Sequence, residues 1–405
     1  MNLVREIVKA YSQLETPKSF WYWSALATIS AIVKDNLYLD RGGAFRTYPN
    51  IYVMLYADTG LRKGPPIALA KKLVRAVNNT KIISGRSSIQ GILKELEMAE
   101  SLPGGKISTG SKAFIVASEF TSSLVTDPAA MTILTDLYDR TYNEGDYKSL
   151  LKSESFSLKD PTITMLVGTN EAHFEDFVGS KDLHGGFIGR MFVIAESEFN
   201  VLNPLIRPMK TRPEDEHPDW IKYLKEVSLL KGPFESMADT PAGDLFEKWY
   251  LDIFNTIKDQ KIKDPTGTIQ RIGDTVLKVS MLLSLSQSTN LILSEGDISE
   301  SIVVCERLIG SIRKTTMGKR GKSALADQKM LIIHELMERD THSISRQMLS
   351  KKYWMHFSNT ELDECISSLE SAGIVYTTAI GGQIIYTMPE DEFQKFKRHM
   401  EGKND

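Results

Sequence analysis

Ile51-Tyr52-Val53-Met54-Leu55-Tyr56 runs into Ala57-Asp58-Thr59-Gly60-Leu61-Arg62-Lys63-Gly64-Pro65, and Pro66-Ile67-Ala68-Leu69-Ala70-Lys71-Lys72-Leu73-Val74 follows. The first stretch is an unbroken apolar, β-rich run, and the last has the pattern of a helix. Strand, tight loop and helix are the context of a phosphate cradle. The loop amides turn inward, the helix N-terminus adds positive potential, and one lysine reaches the outer phosphates. Set against the order G-x-x-x-x-G-K-[ST], Lys63 takes the place of the lysine, with Thr59, Gly60, Leu61, Arg62, Gly64 and Pro65 around it. Three positions depart from that order. Ala57 and Arg62 stand where glycines belong, and Gly64 stands where a hydroxyl would hold magnesium. Pro65 at a helix start is tolerated, because its missing N–H would have no partner there.

Working outward, Lys112-Ala113-Phe114-Ile115-Val116-Ala117 is a second apolar run, and it ends in Ser118-Glu119. An acid at such a strand end can polarise an attacking water, and the Ser118 hydroxyl can join a metal shell beside Glu119. A third run, Thr162–Gly168, ends in Thr169-Asn170, where a polar side chain suits a γ-phosphate sensor. Gly185-Gly186-Phe187-Ile188-Gly189 then delivers Arg190 just before the run Met191–Ala195. An arginine so placed can reach a neighbouring subunit's γ-phosphate and stabilise charge in transfer. Taken singly, each residue has a plainer alternative: an exposed glutamate, a structural turn, a surface ion pair. The ordered series of loop, acid, polar residue and arginine favours the nucleotide site.

A chain of 405 residues is too long for one ordinary core, so two or three domains are expected. A net charge of -3 leaves nucleic-acid contact to local basic patches, not to a global field. The two cysteines, Cys305 and Cys365, lie far apart in helical sequence and suit a reducing compartment. No signal-peptide pattern opens the chain, and the apolar stretch from Phe20 to Val33 is broken by Ser24, Thr28 and Ser30. A cytoplasmic protein without a membrane partner is the expectation, in a host cytoplasm if the source is viral. The seven histidines are scattered, no cysteine pair has zinc spacing, and no G-x-S-x-G is present.

Four regions follow from the patterning. Residues 1–45 read as an N-terminal helical segment with a Trp21/Trp23/Leu26/Ile29/Val33 face. Residues 46–205 read as an α/β core with a mainly parallel sheet of four strands: Ile51–Tyr56, Ala113–Ala117, Thr162–Gly168 and Met191–Ala195. Residues 206–318 read as a helical region, with Leu277, Met281 and Leu285 on one face. Residues 319–405 read as a basic linker and a winged helix. In that last region helices are expected over 326–338 and 345–352, with a third opening at the capping box Ser358-Asn359-Thr360-Glu361. The β-rich runs Ile374–Ile380 and Gln383–Met388 join through Gly381-Gly382. Acids Glu361, Asp363, Glu364 and Glu370 on the third helix would repel phosphate; Arg346, Lys351, Lys352 and the 313–322 linker remain for DNA.

The series of motifs resembles the AAA+-type helicase domain of phage and mobile-element replication proteins, often associated with a primase. The resemblance runs from the aromatic N-terminal helix, through the entry Pro49-Asn50-Ile51-Tyr52 and the pair Gly186-Phe187, to the helices near residue 315. It implies a P-loop NTPase core with a helical lid, binding ATP and Mg²⁺. Lys63 would serve the β/γ-phosphates, Glu119 the base, Asn170 the first sensor and Arg190 the arginine finger. Arg271, opening Arg271-Ile272-Gly273-Asp274-Thr275, resembles a lid sensor. Related hexameric helicases project a pore hairpin where residues 146–160 stand, so Lys148 and Lys152 would touch a DNA backbone. The expectation is a motor working as a homo-hexamer on single-stranded or forked DNA, with a primase or other replication protein as a possible partner. The rivals are an ATP-gated initiator or loader that hydrolyses little, and a scaffold descended from such motors that has lost hydrolysis. The substitutions Gly64 and Ser118 motivate both.

Overall fold

The strands whose ends carry these motifs are β3 (Tyr52–Tyr56), β7 (Lys112–Ala117), β10 (Thr162–Thr169) and β11 (Met191–Ala195). They lie in one five-stranded sheet with β4 (Lys81–Ser84), in the order β11-β3-β10-β7-β4, and every pairing is parallel. Strands buried on both faces need apolar residues at successive positions, which is why four of them were legible as continuous runs. The fifth, β4, is short and only partly buried at the sheet's edge, and its sequence carries no such run.

The coordinates are a computed structural model. They describe the chain apart from residues 44, 78–79, 86, 98–99, 102–106, 109–110, 121–127, 140–146, 151–154, 172, 175–185, 205–214, 216, 260–265, 313–323, 354–358 and 401–405. Lys152, Gly185, Ser358 and the 313–322 linker therefore lie outside the described residues. Two compact units result, Met1–Ile312 and Arg313–Asp405.

In the first unit the sheet separates two hydrophobic clusters, and the pleat sorts side chains between them. Val53, Leu55, Phe114, Val116, Phe192 and Ile194 enter one cluster; Tyr52, Met54, Ala113, Ile115, Met191 and Val193 enter the other. The first face is covered by α1 (Leu3–Ala10), α2 (Lys18–Val33) and α3 (Gly64–Val77), and the second by α4 (Ile89–Glu97) and α5 (Pro128–Tyr138). Helix α2 is apolar on all sides and buried almost throughout, as such a helix must be. Its Ser30 hydroxyl meets the Thr164 hydroxyl of β10 at 2.7 Å, satisfying both inside the core. Helices α6 (His217–Ser228), α7 (Pro241–Asp259), α8 (Ile272–Gln287) and α9 (Glu295–Ile312) extend the first cluster.

Residues 37–45, expected as helix, include instead strand β1 (Leu37–Asp40). It pairs antiparallel with β2 (Arg46–Thr47) and parallel with β12 (Gly232–Phe234). Two antiparallel hairpins complete the unit: β5 (Glu100–Ser101) with β6 (Ile107–Ser108), and β8 (Tyr147–Leu150) with β9 (Ser155–Leu158).

The second unit runs α10 (Ala324–Met337), β13 (Ser343–Ser345), α11 (Arg346–Lys352), α12 (Asn359–Ser371), β14 (Tyr376–Ile380), β15 (Gln383–Thr387) and α13 (Glu390–Met400). Its sheet has the order β13-β15-β14, and the β14–β15 turn uses Gly381 and Gly382 at φ +59° and +77°. Positive φ at two successive positions is what a tight hairpin turn demands of glycine. Leu362, Cys365, Ile366 and Leu369 give α12 its face in a separate core. Among the described residues no helix is long and apolar enough to cross a membrane.

Candidate functional site at the carboxyl edge of the sheet

The chain enters the sheet at β3 and crosses to β4 at the far edge, with α3 on one face; it then steps back through β7 and β10 with its helices on the other face. The loop after β3 therefore leaves toward one face, while the loops after β10 and β7 leave toward the opposite face. In open parallel sheets such a reversal opens a crevice at the carboxyl ends of the strands, where ligands bind. Here it lies between β3 and β10.

Register brings the motif residues level with one another. Tyr56 of β3 pairs with Thr169 of β10, and Ala117 of β7 pairs with Val167. Beyond the ladder, the Ala57 amide donates to the Thr169 carbonyl at 3.3 Å, and the Phe120 amide to the Gly168 carbonyl at 2.6 Å. Gly168 is the tight point. A Cβ there would overlap the Ser118 carbonyl oxygen and sit 3.6 Å from Lys63 Cβ. Strand β7's end, strand β10 and the loop lysine thus converge on a position that only glycine fits.

The loop itself is bent by Gly60 at φ +100° and Arg62 at φ +56°. Arg62 tolerates that left-handed conformation because it is tied down. Its guanidinium pairs with Glu15 at 3.0 Å, and its carbonyl accepts from the Thr16 hydroxyl at 3.3 Å. Lys63 folds over the loop, its Nζ donating to the Ala57 carbonyl at 2.5 Å and the Asp58 carbonyl at 3.0 Å. Partial burial pushes its ammonium below the ordinary lysine range, and the Glu119 and Asp58 carboxylates pull it back up. Ser118, the residue before Glu119, and Lys63 both pack against Gly168, so the loop and the end of β7 border the same crevice. Glu119, Ser118, Asp58 and Thr59 are exposed there. Asn170 is held in place, its Oδ1 accepting from the His173 amide at 3.0 Å.

Arg190 and Arg271 are not part of this group. Arg190 precedes β11, at the opposite end of the strands, about 16 Å from the loop by the rise of a five-residue strand. Its side chain is only 7% exposed. Nη2 pairs with Asp139, and Nη1 donates to the Gly186 carbonyl at 2.8 Å. Arg271, at the start of α8, stands 4.0 Å from the same Asp139. Arg271, the residue that resembles a lid sensor, thus shares Asp139 with Arg190 at the amino edge. On the next turns of α8, Asp274 pairs with Arg41 at 3.0 Å. Lys278, 4% exposed, donates to Asn50 Oδ1 at 2.6 Å and to the Asn50 carbonyl at 3.0 Å.

Lys148 is exposed on the β8–β9 hairpin, which is anchored where the Ser157 amide donates to Glu97 Oε1 at 2.8 Å. In the second unit two cations are occupied. Arg346 is bound by both oxygens of Asp363, and Lys352 donates to Glu335 at 2.5 Å. Lys351 is exposed.

Sequence patterning did not reveal a cleft of about 440 Å³ at the carboxyl end of β11, lined from α1, α2, the end of β11 and α9. Glu196 belongs to its wall, and the Glu196 amide donates to the carbonyl of Tyr56, next to the loop, at 3.0 Å. Arg307 of α9 also lines it. These residues come from distant parts of the chain and share no motif, so nothing local could announce them. No protein-family model matches the chain, and no curated protein matches it.

Proposed function

We propose that the chain is an ATP-dependent motor of the AAA+ helicase type. In this reading the parallel sheet is a P-loop core, helices α6 to α9 are its lid and the second unit is a winged helix. The observation that carries it is the approach of Lys63 and of the strand end Ser118-Glu119 to the crevice between β3 and β10, with Lys63 and Ser118 packed against Gly168. Lys63 would exchange its two loop carbonyls for phosphate oxygens. Glu119, exposed beside it, would take a proton from the attacking water, a role that needs hydrogen-bond reach and a carboxylate. The carboxamide of Asn170, fixed by its bond to the His173 amide, would orient that water or the outer phosphate.

Among the described residues no three carboxylates, histidines or cysteines gather as a metal site. Mg²⁺ keeps several waters and takes much of its shell from substrate phosphates, so it would need few donors from the chain. Glu119 and the Ser118 hydroxyl are the donors that would hold it, and it would supply charge neutralisation on the phosphates. Gly64 supplies no hydroxyl, which argues for slow hydrolysis.

The inward-turned Arg190 favours the second reading, an ATP-gated initiator or loader. An arginine held by Asp139 in its own chain is withheld from a neighbour's phosphate until that pair opens, so an isolated subunit binds ATP and turns it over poorly. Ring formation, DNA as the track, and a primase or other replication partner belong to both readings. On the winged helix, the pairing of Arg346 with Asp363 leaves α12 unsuited to phosphate, so that face would dock protein. ATP hydrolysis measured with and without single-stranded DNA, alongside native mass, tests the choice. The motor reading expects a hexamer with DNA-stimulated turnover. Background hydrolysis under all conditions removes it, and tight binding with slow turnover selects the initiator.

A further inference from the structure

The cleft at the end of β11, the strand paired with β3, has a volume within the range of small-molecule pockets. Trp23, Ile194, Val304 and Leu308 give it apolar walls, and a few polar side chains interrupt them. Two of those are carboxylates in different states. Glu300 has both oxygens engaged, Oε1 by the Tyr22 hydroxyl at 3.0 Å and Oε2 by Arg5 at 3.0 Å. Glu196 is oriented by the Ser19 hydroxyl, which donates to Oε1 at 2.5 Å. Its own backbone is fixed to Tyr56, the residue before the phosphate loop. Strand register sets Ala195 beside Tyr56, so Glu196 follows the end of β11 at the same edge of the sheet where the loop follows the end of β3.

We propose that this cleft receives the base of the nucleotide held at the loop, and that Glu196 is a specificity-determining residue that accepts an N–H from the exocyclic amino group of adenine. The assignment rests on the nucleotide reading of the loop. An ionised carboxylate can only accept hydrogen bonds, so it favours a ring edge that presents a donor. Adenine offers two N–H bonds at its 6-position. Hypoxanthine presents a carbonyl oxygen there, which a carboxylate repels. A hydrogen bond to a charged acceptor is about twice as strong as a neutral one, and a pocket built for a donor rejects an analogue that lacks it. Glu300, with both oxygens taken, forms wall and contributes little to the choice.

The test is equilibrium binding of ATP and ITP to the full chain and to two variants. The wild type is expected to prefer ATP by about ten- to hundredfold, the worth of one charge-assisted hydrogen bond. Glu196→Ala should lose that preference, with ATP binding weakened by about tenfold or more and ITP binding unchanged or tighter as the repulsion is relieved. Glu196→Gln is the sharper variant, because its amide N–H can donate to the inosine carbonyl. Affinity for ITP should then rise, which a purely structural role for Glu196 would not produce. Equal binding of ATP and ITP by the wild type overturns the Glu196 assignment and leaves the loop reading standing. Failure of the folded wild type to bind either nucleotide overturns both.

Discussion

The two ends of the parallel sheet carry similar charged groups and hold them differently. At the carboxyl edge Lys63 is partly buried and Glu119 exposed, and the lysine's hydrogen bonds go to the carbonyls of its own loop. At the amino edge Arg190 and Lys278 are buried, and their partners Asp139 and Asn50 come from different elements. The first arrangement leaves charge in a crevice where a ligand can replace weak local partners. The second staples α5 and α8 to the strand ends, and removing one partner there strands a buried charge. Charge that the fold has not already neutralised is what a site is made from; charge that it has neutralised belongs to stability.

Substitutions at the two edges should therefore separate activity from stability. The largest effect is expected from Glu119→Gln. Loss of a general base lowers hydrolysis by about a hundred- to ten-thousandfold, while nucleotide affinity and thermal stability stay near wild type. Single-turnover hydrolysis beside a binding isotherm reads this. A variant that loses affinity and turnover in proportion would make Glu119 a binding group and not a base.

At the other edge, Asp139→Ala leaves the Arg190 guanidinium buried without its carboxylate, at a cost of about 3–5 kcal/mol. Thermal unfolding should shift down by on the order of 10 °C, with ATP affinity of the remaining folded chain unchanged. A shift of a degree or two would mean that the pair is not what holds α5 to the strand ends.

Lys278 gives that edge a pH signature. Burial pushes its ammonium from the ordinary 10.5 down to about 7. Between those values the unfolded chain binds a proton that the folded chain does not, so stability rises as pH increases through the window. The contribution is at most about 1.4 kcal/mol per pH unit, and Lys278→Met should remove it from the slope of unfolding free energy against pH. Identical slopes for the two proteins would show that the amine stays charged where it is buried.

The smallest expected change comes from restoring a hydroxyl to the loop. A Cβ on Gly64 meets no atom within 4 Å, so Gly64→Ser fits without displacement. It should raise Mg²⁺-dependent turnover severalfold and leave the amino edge untouched. No change in the magnesium dependence would place the ion's protein contacts elsewhere.

The sequence patterns located the carboxyl edge well and the amino edge poorly, for physical reasons. In a parallel sheet every strand delivers its carboxyl end to the same side, so Lys63, Glu119 and Asn170 can be read as neighbours once their apolar runs are recognised as strands. Nothing equivalent marks the amino edge. Arg190 carries no sign of Asp139, because that pairing depends on where α5 ends. Arg271 likewise keeps company with Arg190, which a helix-start pattern cannot reveal. The strand Lys81–Ser84 lacked an apolar run because it is short and only partly buried, and β1 was hidden by the helical segment before it. The cleft was the least legible of all, assembled from Ser19, Glu196 and Arg307.

The central claim is that Lys63 and Glu119 serve one triphosphate, and calorimetric titration with ATP tests it most directly when run on the wild type, Lys63→Ala and Glu119→Gln. The account predicts saturable binding of one nucleotide per chain by the wild type, retained by Glu119→Gln and abolished by Lys63→Ala with the fold intact. Absence of heat in the wild type, or an unchanged isotherm in Lys63→Ala, would contradict it.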